Sequence, residues 1–361
     1  MTTASPGRPF RRSQGATPSA RGGSPPVASW RHLPPTRAQK ATLIAAGTAA
    51  AAVAGAVYAG SRFVRRRLEA APDPDLELPP GVEHHLLELR DGTRLQVTEA
   101  GDGPTVVLVH GAGLSSGVWA YQFHDLADRY RLVALDLRAH GQSDAGSEDV
   151  TIAAMADDLA EVIGKLDLHV SVLVGHSMGG MAVLRFARRH PEMLSDRVSS
   201  ILLISTAGGL LPSAGAWNRL GPLAVRAAVT FDSLAKRSSR IGIPDSNLGH
   251  GMSRVGFGVT PSSAQVAATL RMLQATDQHR LVGLLPELMR FDERSAFTDL
   301  HVPVTVLVGD RDRLTPPELA RQLAAALPGA RLVVWPGGGH MLMFERREAL
   351  DWLIATMASA D

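Results

Sequence analysis

The 361-residue chain contains no cysteine. Disulfides, thiolate metal sites and cysteine nucleophiles are therefore excluded. Residues 1–67 also lack any acidic residue, against ten Arg and one Lys. The remainder carries 26 basic and 35 acidic side chains, a net charge near −9, so the overall +2 conceals two unlike parts. Charge is missing altogether from Ala41 to Ser61, and strand-like runs are missing from residues 207–300.

The amino-terminal part reads in three pieces. Residues 1–40 are rich in Pro, Ser, Gly and Arg and cannot bury enough surface to offset their ordering entropy, which predicts a disordered basic tail. No nucleic-acid-binding motif accompanies that charge, so no nucleic-acid partner is expected. Residues 41–61 would span about 30 Å as a helix, the thickness of the hydrocarbon core. Arg37 and Lys40 flank one end, and Arg62, Arg65, Arg66 and Arg67 the other. This pattern predicts a single transmembrane helix and a membrane-anchored chain, with a cleaved signal peptide and secretion as the alternative. Residues 62–81, ending in "AAPDPDLELPP" and its flank, read as a linker.

From residue 82 the pattern changes. "VEHHLLELRDGTRLQVTEAG" predicts two strands joined at Asp91-Gly92, a hairpin signal. Compact apolar runs follow at 105–111, 131–137, 170–176, 199–206, 304–310 and 331–337, with helical patterns between several of them. Continuous apolar strands alternating with helices predict a mostly parallel α/β sheet covered on both faces. Catalytic groups then belong at the carboxyl ends of the strands. The strand-free interval 207–300 has amphipathic stretches and predicts a helical cap inserted over those ends.

The segment "VGHSMGG" follows the apolar run at 170–176 and precedes an apolar, helically spaced stretch stopped by Pro191. It places Ser177 on a sharp strand-to-helix turn, with glycine on both sides to relieve crowding. Such a turn lifts the Ser177 hydroxyl clear of the sheet and puts the Met178 amide at a helix N-terminus, aimed at an incoming oxyanion. A serine hydroxyl is a weak nucleophile without a base, and the base needs an orienting acid. Among thirteen histidines, His340 in "WPGGGHMLMFE" follows a strand and a glycine triplet that can carry an imidazole over a strand end. His176 is adjacent to the serine, but neighbouring side chains on such a turn diverge. His140 reads as part of a structural turn, and His169 and His190 as surface residues at element ends. "VGDRDRLTPPE" offers Asp310 and Asp312; Asp312, three residues past Gly309, can face sideways from the turn and is preferred.

The motifs "HGAG" at 110–113, "DLRAHGQSD" at 136–144, "GHSMGG" at 175–180, "GDRDRLTP" at 309–316 and "GGGHM" at 337–341 stand in one order. With them, residues 82–361 resemble the α/β-hydrolase superfamily, in its serine esterase and lipase branch with a helical cap. The resemblance implies a triad Ser177, Asp312, His340 and a second oxyanion donor at the Ala112 amide, beside that of Met178. Where the family often has glycine after the arginine of "DLRAHG", this chain has Ala139.

The implied function is hydrolysis of a small-molecule or lipid-derived carboxylic ester through an acyl-enzyme on Ser177, with no metal or organic cofactor. Serine at the turn opposes the epoxide- and halide-displacing relatives, which use aspartate there. C–C bond hydrolases, perhydrolase or haloperoxidase types, acyltransferases, peptidases and lyases share the same triad. A noncatalytic ligand receptor on the same fold is an alternative of another class.

Overall fold

Each apolar run becomes a strand because Val, Leu and Ile pack well on a pleated surface buried from both sides. The computed structural model describes residues 73–146, 150–209, 247–294 and 300–359. Eight strands form one sheet: β1 (Glu83–Glu88), β2 (Arg94–Ala100), β3 (Thr105–Val109), β4 (Arg131–Leu135), β5 (Val170–His176), β6 (Val198–Ile204), β7 (Val304–Gly309) and β8 (Arg331–Trp335). Their spatial order is β1-β2-β4-β3-β5-β6-β7-β8. The first two pairings, β1 with β2 and β2 with β4, are antiparallel, and all the others are parallel. The hairpin turn closes where expected, with Gly92 at φ 81° and the Thr93 amide donating to Asp91 Oδ1 at 2.9 Å.

The helices are α1 (Ala120–Leu126), α2 (Ile152–Lys165), α3 (Met178–Arg189), α4 (Pro191–Arg197), α5 (Asn247–Val255), α6 (Ser263–Ala275), α7 (Gln278–Arg290), α8 (Pro317–Ala326), α9 (Leu342–Glu345) and α10 (Arg347–Ala358). Strand side chains alternate between two cores. Val107, Val109, Leu173, Leu203, Val306 and Val308 pack with Met155, Leu159, Phe186 and Leu323 of α2, α3 and α8. Val106, Leu108, Val172, Val174, Leu202 and Leu307 pack with Trp119, Phe123, Leu350 and Ile354 on the opposite face. Burying each such side chain contributes about 1.5–3 kcal/mol, which makes the sheet a rigid platform for the loops at its carboxyl edge. Helices α5, α6 and α7 fall between β6 and β7 in the chain.

The expected membrane anchor requires correction. Among the described residues no helix is long and apolar enough to cross a membrane. The longest of those helices, α2, has 14 residues; at 1.5 Å per residue it reaches about 21 Å, short of the roughly 30 Å hydrocarbon core. Residues 41–61 themselves lie outside the described residues. Their composition is dominated by Ala and Gly, with Leu43, Ile44, Val53 and Val57 as the only strongly apolar aliphatic residues to drive insertion. The membrane-anchored, single-pass location is therefore withdrawn.

One contact beside the second core, on α10, makes stability depend on pH. Arg347 of α10 binds Asp125 of α1 through two nitrogens, at 2.5 and 2.7 Å, and reaches Asp75 at 2.8 Å. One turn along, the buried Asp351 accepts from Gln122 Nε2 at 2.9 Å. Burial, and then the nearby Asp125 carboxylate, push the Asp351 carboxyl up to about 7 against the Gln122 hydrogen bond. The folded state thus holds a proton that the unfolded chain releases near pH 4, and stability falls as pH rises from about 4 to about 7. Asp351→Asn supplies a permanently neutral group of the same shape. It is expected to raise Tm by about 2–4 °C at pH 8 and to lose that advantage at pH 5, read by thermal melting. An equal shift at both pH values would exclude the buried proton as its cause.

Candidate active site

At the end of β5, Ser177 adopts φ 53° and ψ −120°, a left-handed conformation that costs a non-glycine residue about 1–3 kcal/mol. Three backbone bonds hold it there. Its amide donates to the Ile204 carbonyl at 2.9 Å, and its own carbonyl accepts from the Met181 amide at 3.2 Å and from Thr206 Oγ1 at 2.6 Å. Helix α3 then starts so close to β3 that a Cβ at Gly179 would strike the carbonyl oxygens of Val109 and His110; only glycine permits this approach. Ser177 is half-buried between the buried His176 and Met178.

The loop after β3 lies against this turn. A Cβ on Gly111 would stand 2.9 Å from Ser177 Cβ, so the Gly111 backbone packs directly on the serine and Ala112 follows it. Two contacts from the "DLRAHG" segment fix the loop. The Leu137 amide donates to His110 Nε2 at 3.0 Å, and the Ser116 amide donates to Asp136 Oδ1 at 2.6 Å. Since His110 Nε2 accepts, its Nδ1–H donates to the Gly111 carbonyl at 2.8 Å. The segment is itself pinned by the buried Arg138, whose guanidinium meets Asp158 through two nitrogens at 2.7 and 2.5 Å. Ala139 sits at φ 64°, a conformation that suits glycine better than alanine.

The acid and the imidazole meet across the ends of β7 and β8. His340 Nδ1 lies 2.9 Å from Asp312 Oδ2, and both side chains are buried. An ionised carboxylate only accepts, so Nδ1 carries the hydrogen and Nε2 is left with a free lone pair. Burial works to raise the Asp312 carboxyl, but the adjacent His340 and the hydrogen bonds from His340 and Thr315 hold it below the ordinary carboxylate value. Asp310 is exposed and turned away, its Oδ1 accepting the Gly337 amide at 2.7 Å.

The remaining histidines have other tasks. His176 Nε2 donates to the His340 carbonyl at 3.0 Å, and the two rings lie 4.8 Å apart, which ties the serine turn to the histidine loop through the backbone. Burial pushes His176 well below an ordinary imidazole, and lowers His110 and His140 to about 4, so all three are neutral. His190 meets Asp157 at 2.7 Å, and the exposed His169 meets Arg197 at 3.3 Å.

Sequence reasoning missed Thr315. Its buried hydroxyl stands 2.8 Å from Asp312 Oδ2, 2.8 Å from the Ser205 carbonyl and 3.1 Å from His340 Nδ1, while its amide donates to Asp312 Oδ1 at 2.8 Å. Ser205, at φ 48°, and Thr206 thus brace the acid from one side and the serine turn from the other. The signal available in the sequence was an Asx-turn pattern, Asp-x-x-Thr, whose threonine can reach back to the carboxylate. Among the described residues no cluster of His, Asp and Glu is arranged to hold a metal ion.

A sheet with these loops at its carboxyl edge defines the α/β-hydrolase class. A family model described as "alpha/beta hydrolase fold" matches residues 104–347, and the chain belongs to that family. It is 30% identical over 274 residues to a Mycobacterium tuberculosis protein without a described function, covering 73% of this chain and 76% of the relative. It is 30% identical over 249 residues to the pimeloyl-[acyl-carrier protein] methyl ester esterase of Chromobacterium violaceum, covering 68% and 91%. Among solved structures, an esterase from Exiguobacterium antarcticum superposes with a TM-score of 0.66 at 23% identity, over 77% of this chain and all of that one. The chain is thus a hydrolase by family, and the esterase of known structure shares its fold.

Proposed function

We propose that the chain is a serine hydrolase of small-molecule carboxylic esters. The observation that carries this reading is the buried 2.9 Å bond between Asp312 and His340, in a loop tied through His176 to the strained strand-to-helix turn that holds Ser177. The naming of the Chromobacterium relative as a methyl ester esterase supports it. Ser177 Oγ attacks the ester carbonyl while His340 Nε2 takes its proton. Asp312 holds the ring in the Nδ1–H tautomer and stabilises the imidazolium that forms. The amides of Ala112 and Met178 donate to the oxyanion; each such donor contributes about 3 kcal/mol to the transition state. Collapse of the tetrahedral adduct breaks the C–O bond, and the imidazolium gives its proton to the departing alkoxide. Water, deprotonated by His340, then releases the acid. Helices α5–α7 act as part of the cap expected from residues 207–300, of which 210–246 and 295–299 lie outside the described residues.

The test is a panel of p-nitrophenyl esters of increasing acyl length on the full chain. Hydrolysis of short and medium esters, falling off with chain length, is the expected pattern. Absence of turnover with every ester would remove the esterase reading and favour ligand binding without chemistry on the same fold.

A further inference from the structure

The loop that carries His340 is hydrogen-bonded along its length to the segment between α5 and α6. The His340 and Met341 amides both donate to the Gly256 carbonyl, at 2.7 and 3.2 Å, and the Val259 amide donates to the Gly337 carbonyl at 3.3 Å. Between these bonds the two backbones touch. A Cβ on Gly339 would strike the Gly258 nitrogen, and a Cβ on Gly258 would strike the Gly337 carbonyl oxygen. Such close contact aims the amides of Gly258 and Gly339 the same way, and one carboxylate serves both. Glu345 Oε2 accepts from the Gly258 amide at 2.7 Å, and Oε1 accepts from the Gly339 amide at 3.0 Å. Phe257 is fully buried and stacks on Phe344, with ring centroids 6.4 Å apart and planes 10° from parallel. Gln265 of α6 adds a bond to the Phe344 carbonyl at 2.9 Å.

We propose that Glu345 is a positioning residue whose carboxylate clamps the 256–259 segment to the His340 loop, so that seating this segment and placing the base are a single event. The role given to His340 rests on the hydrolase mechanism above; the clamp itself does not. Glutamate is suited to the task because a carboxylate accepts on both oxygens at once. A glutamine of the same size accepts on one and presents a donor to the other amide. Placement matters here because a shift of about 1 Å in a reacting group costs on the order of 100-fold in rate.

Two variants of the full chain test the clamp. Glu345→Gln opens it from the carboxylate side. Gly258→Ala opens it from the backbone side, since the added methyl group meets both Gly337 and Glu345. Each is expected to lower kcat on p-nitrophenyl acetate about 10-fold or more, with KM changed less than about twofold. The double variant is expected to fall no further than the worse single, because both remove one coupling. Amide hydrogen exchange supplies a readout without substrate: residues 256–259 and 337–341 should gain exchange together in Glu345→Gln. Faster exchange in only one segment, or in neither, would overturn the clamp whether or not the chain turns over esters. Additive losses in the double variant would assign the effect to separate defects in the fold. Paired exchange without ester turnover by the unaltered chain would leave the clamp standing and remove only the hydrolase reading.

Discussion

Ser177→Ala is expected to abolish covalent labelling by a fluorophosphonate and to lower kcat on p-nitrophenyl esters by about 10⁴–10⁶-fold. The size follows from what the hydroxyl alone can do. In the proposed mechanism His340 takes a proton and the two amides hold an oxyanion, but without an oxygen nucleophile no acyl-enzyme forms. What survives is the smaller rate from bound water and the oxyanion donors, about 10³–10⁴ above solution. The fold should be undisturbed, because the three bonds that hold position 177 use its amide and its carbonyl. Intact protein mass spectrometry after the probe, with a melting curve as control, reads both halves. Labelling retained at the level of the unaltered chain would move the nucleophile elsewhere.

The second large effect is expected at the acid. Asp312→Asn should lower kcat by about 10⁴-fold, whereas Asp310→Asn should stay within about twofold of the unaltered chain. An asparagine at 312 can still accept the Leu314 and Thr315 amides on its oxygen, now 2.9 and 2.8 Å from Asp312 Oδ1. Its NH₂ then faces His340 Nδ1 and donates to it. The imidazole is left with its hydrogen on Nε2, where it cannot accept from the serine. Asp310 offers no such contact, since its carboxylate braces the exposed turn after β8 through Gly337. Full activity in Asp312→Asn combined with loss in Asp310→Asn would reverse the assignment.

Stability at low pH follows from the same carboxylate. The folded value of Asp312 lies below the ordinary one, so its contribution is present above about pH 4 and fades as pH falls through the lower, folded value.

The strand pattern was legible because burial on both faces imposes unbroken apolar runs, and each of the eight runs became a strand. The expected ends were too long by two residues at β3, β4, β6 and β8 and by one at β7. At those points polar residues, Pro or Gly enter and the chain leaves the ladder to build loops; His110 and Gly111, for example, belong to the loop packed on Ser177 and not to β3. Ser177, Asp312 and His340 stand out in the sequence because their neighbours are glycines and turn formers. Thr315 and Glu345 stand out less, because beside their near partners Asp312 and Gly339 each has one 110 or 87 residues away in the chain, at Ser205 and Gly258. Only the folded sheet brings those backbones within reach. The charge-free run 41–61 misled for a different reason: length and lack of charge satisfy a spanning pattern, while composition decides whether insertion is favourable.

The uncharged imidazoles beneath the serine have a consequence for how the surroundings of the reaction respond to acid. Burial keeps His110 and His140 deprotonated down to about pH 4 and holds His176 far from ionisation. Mild acidification therefore adds no positive charge at these three side chains. These three side chains keep one charge state while surface groups titrate.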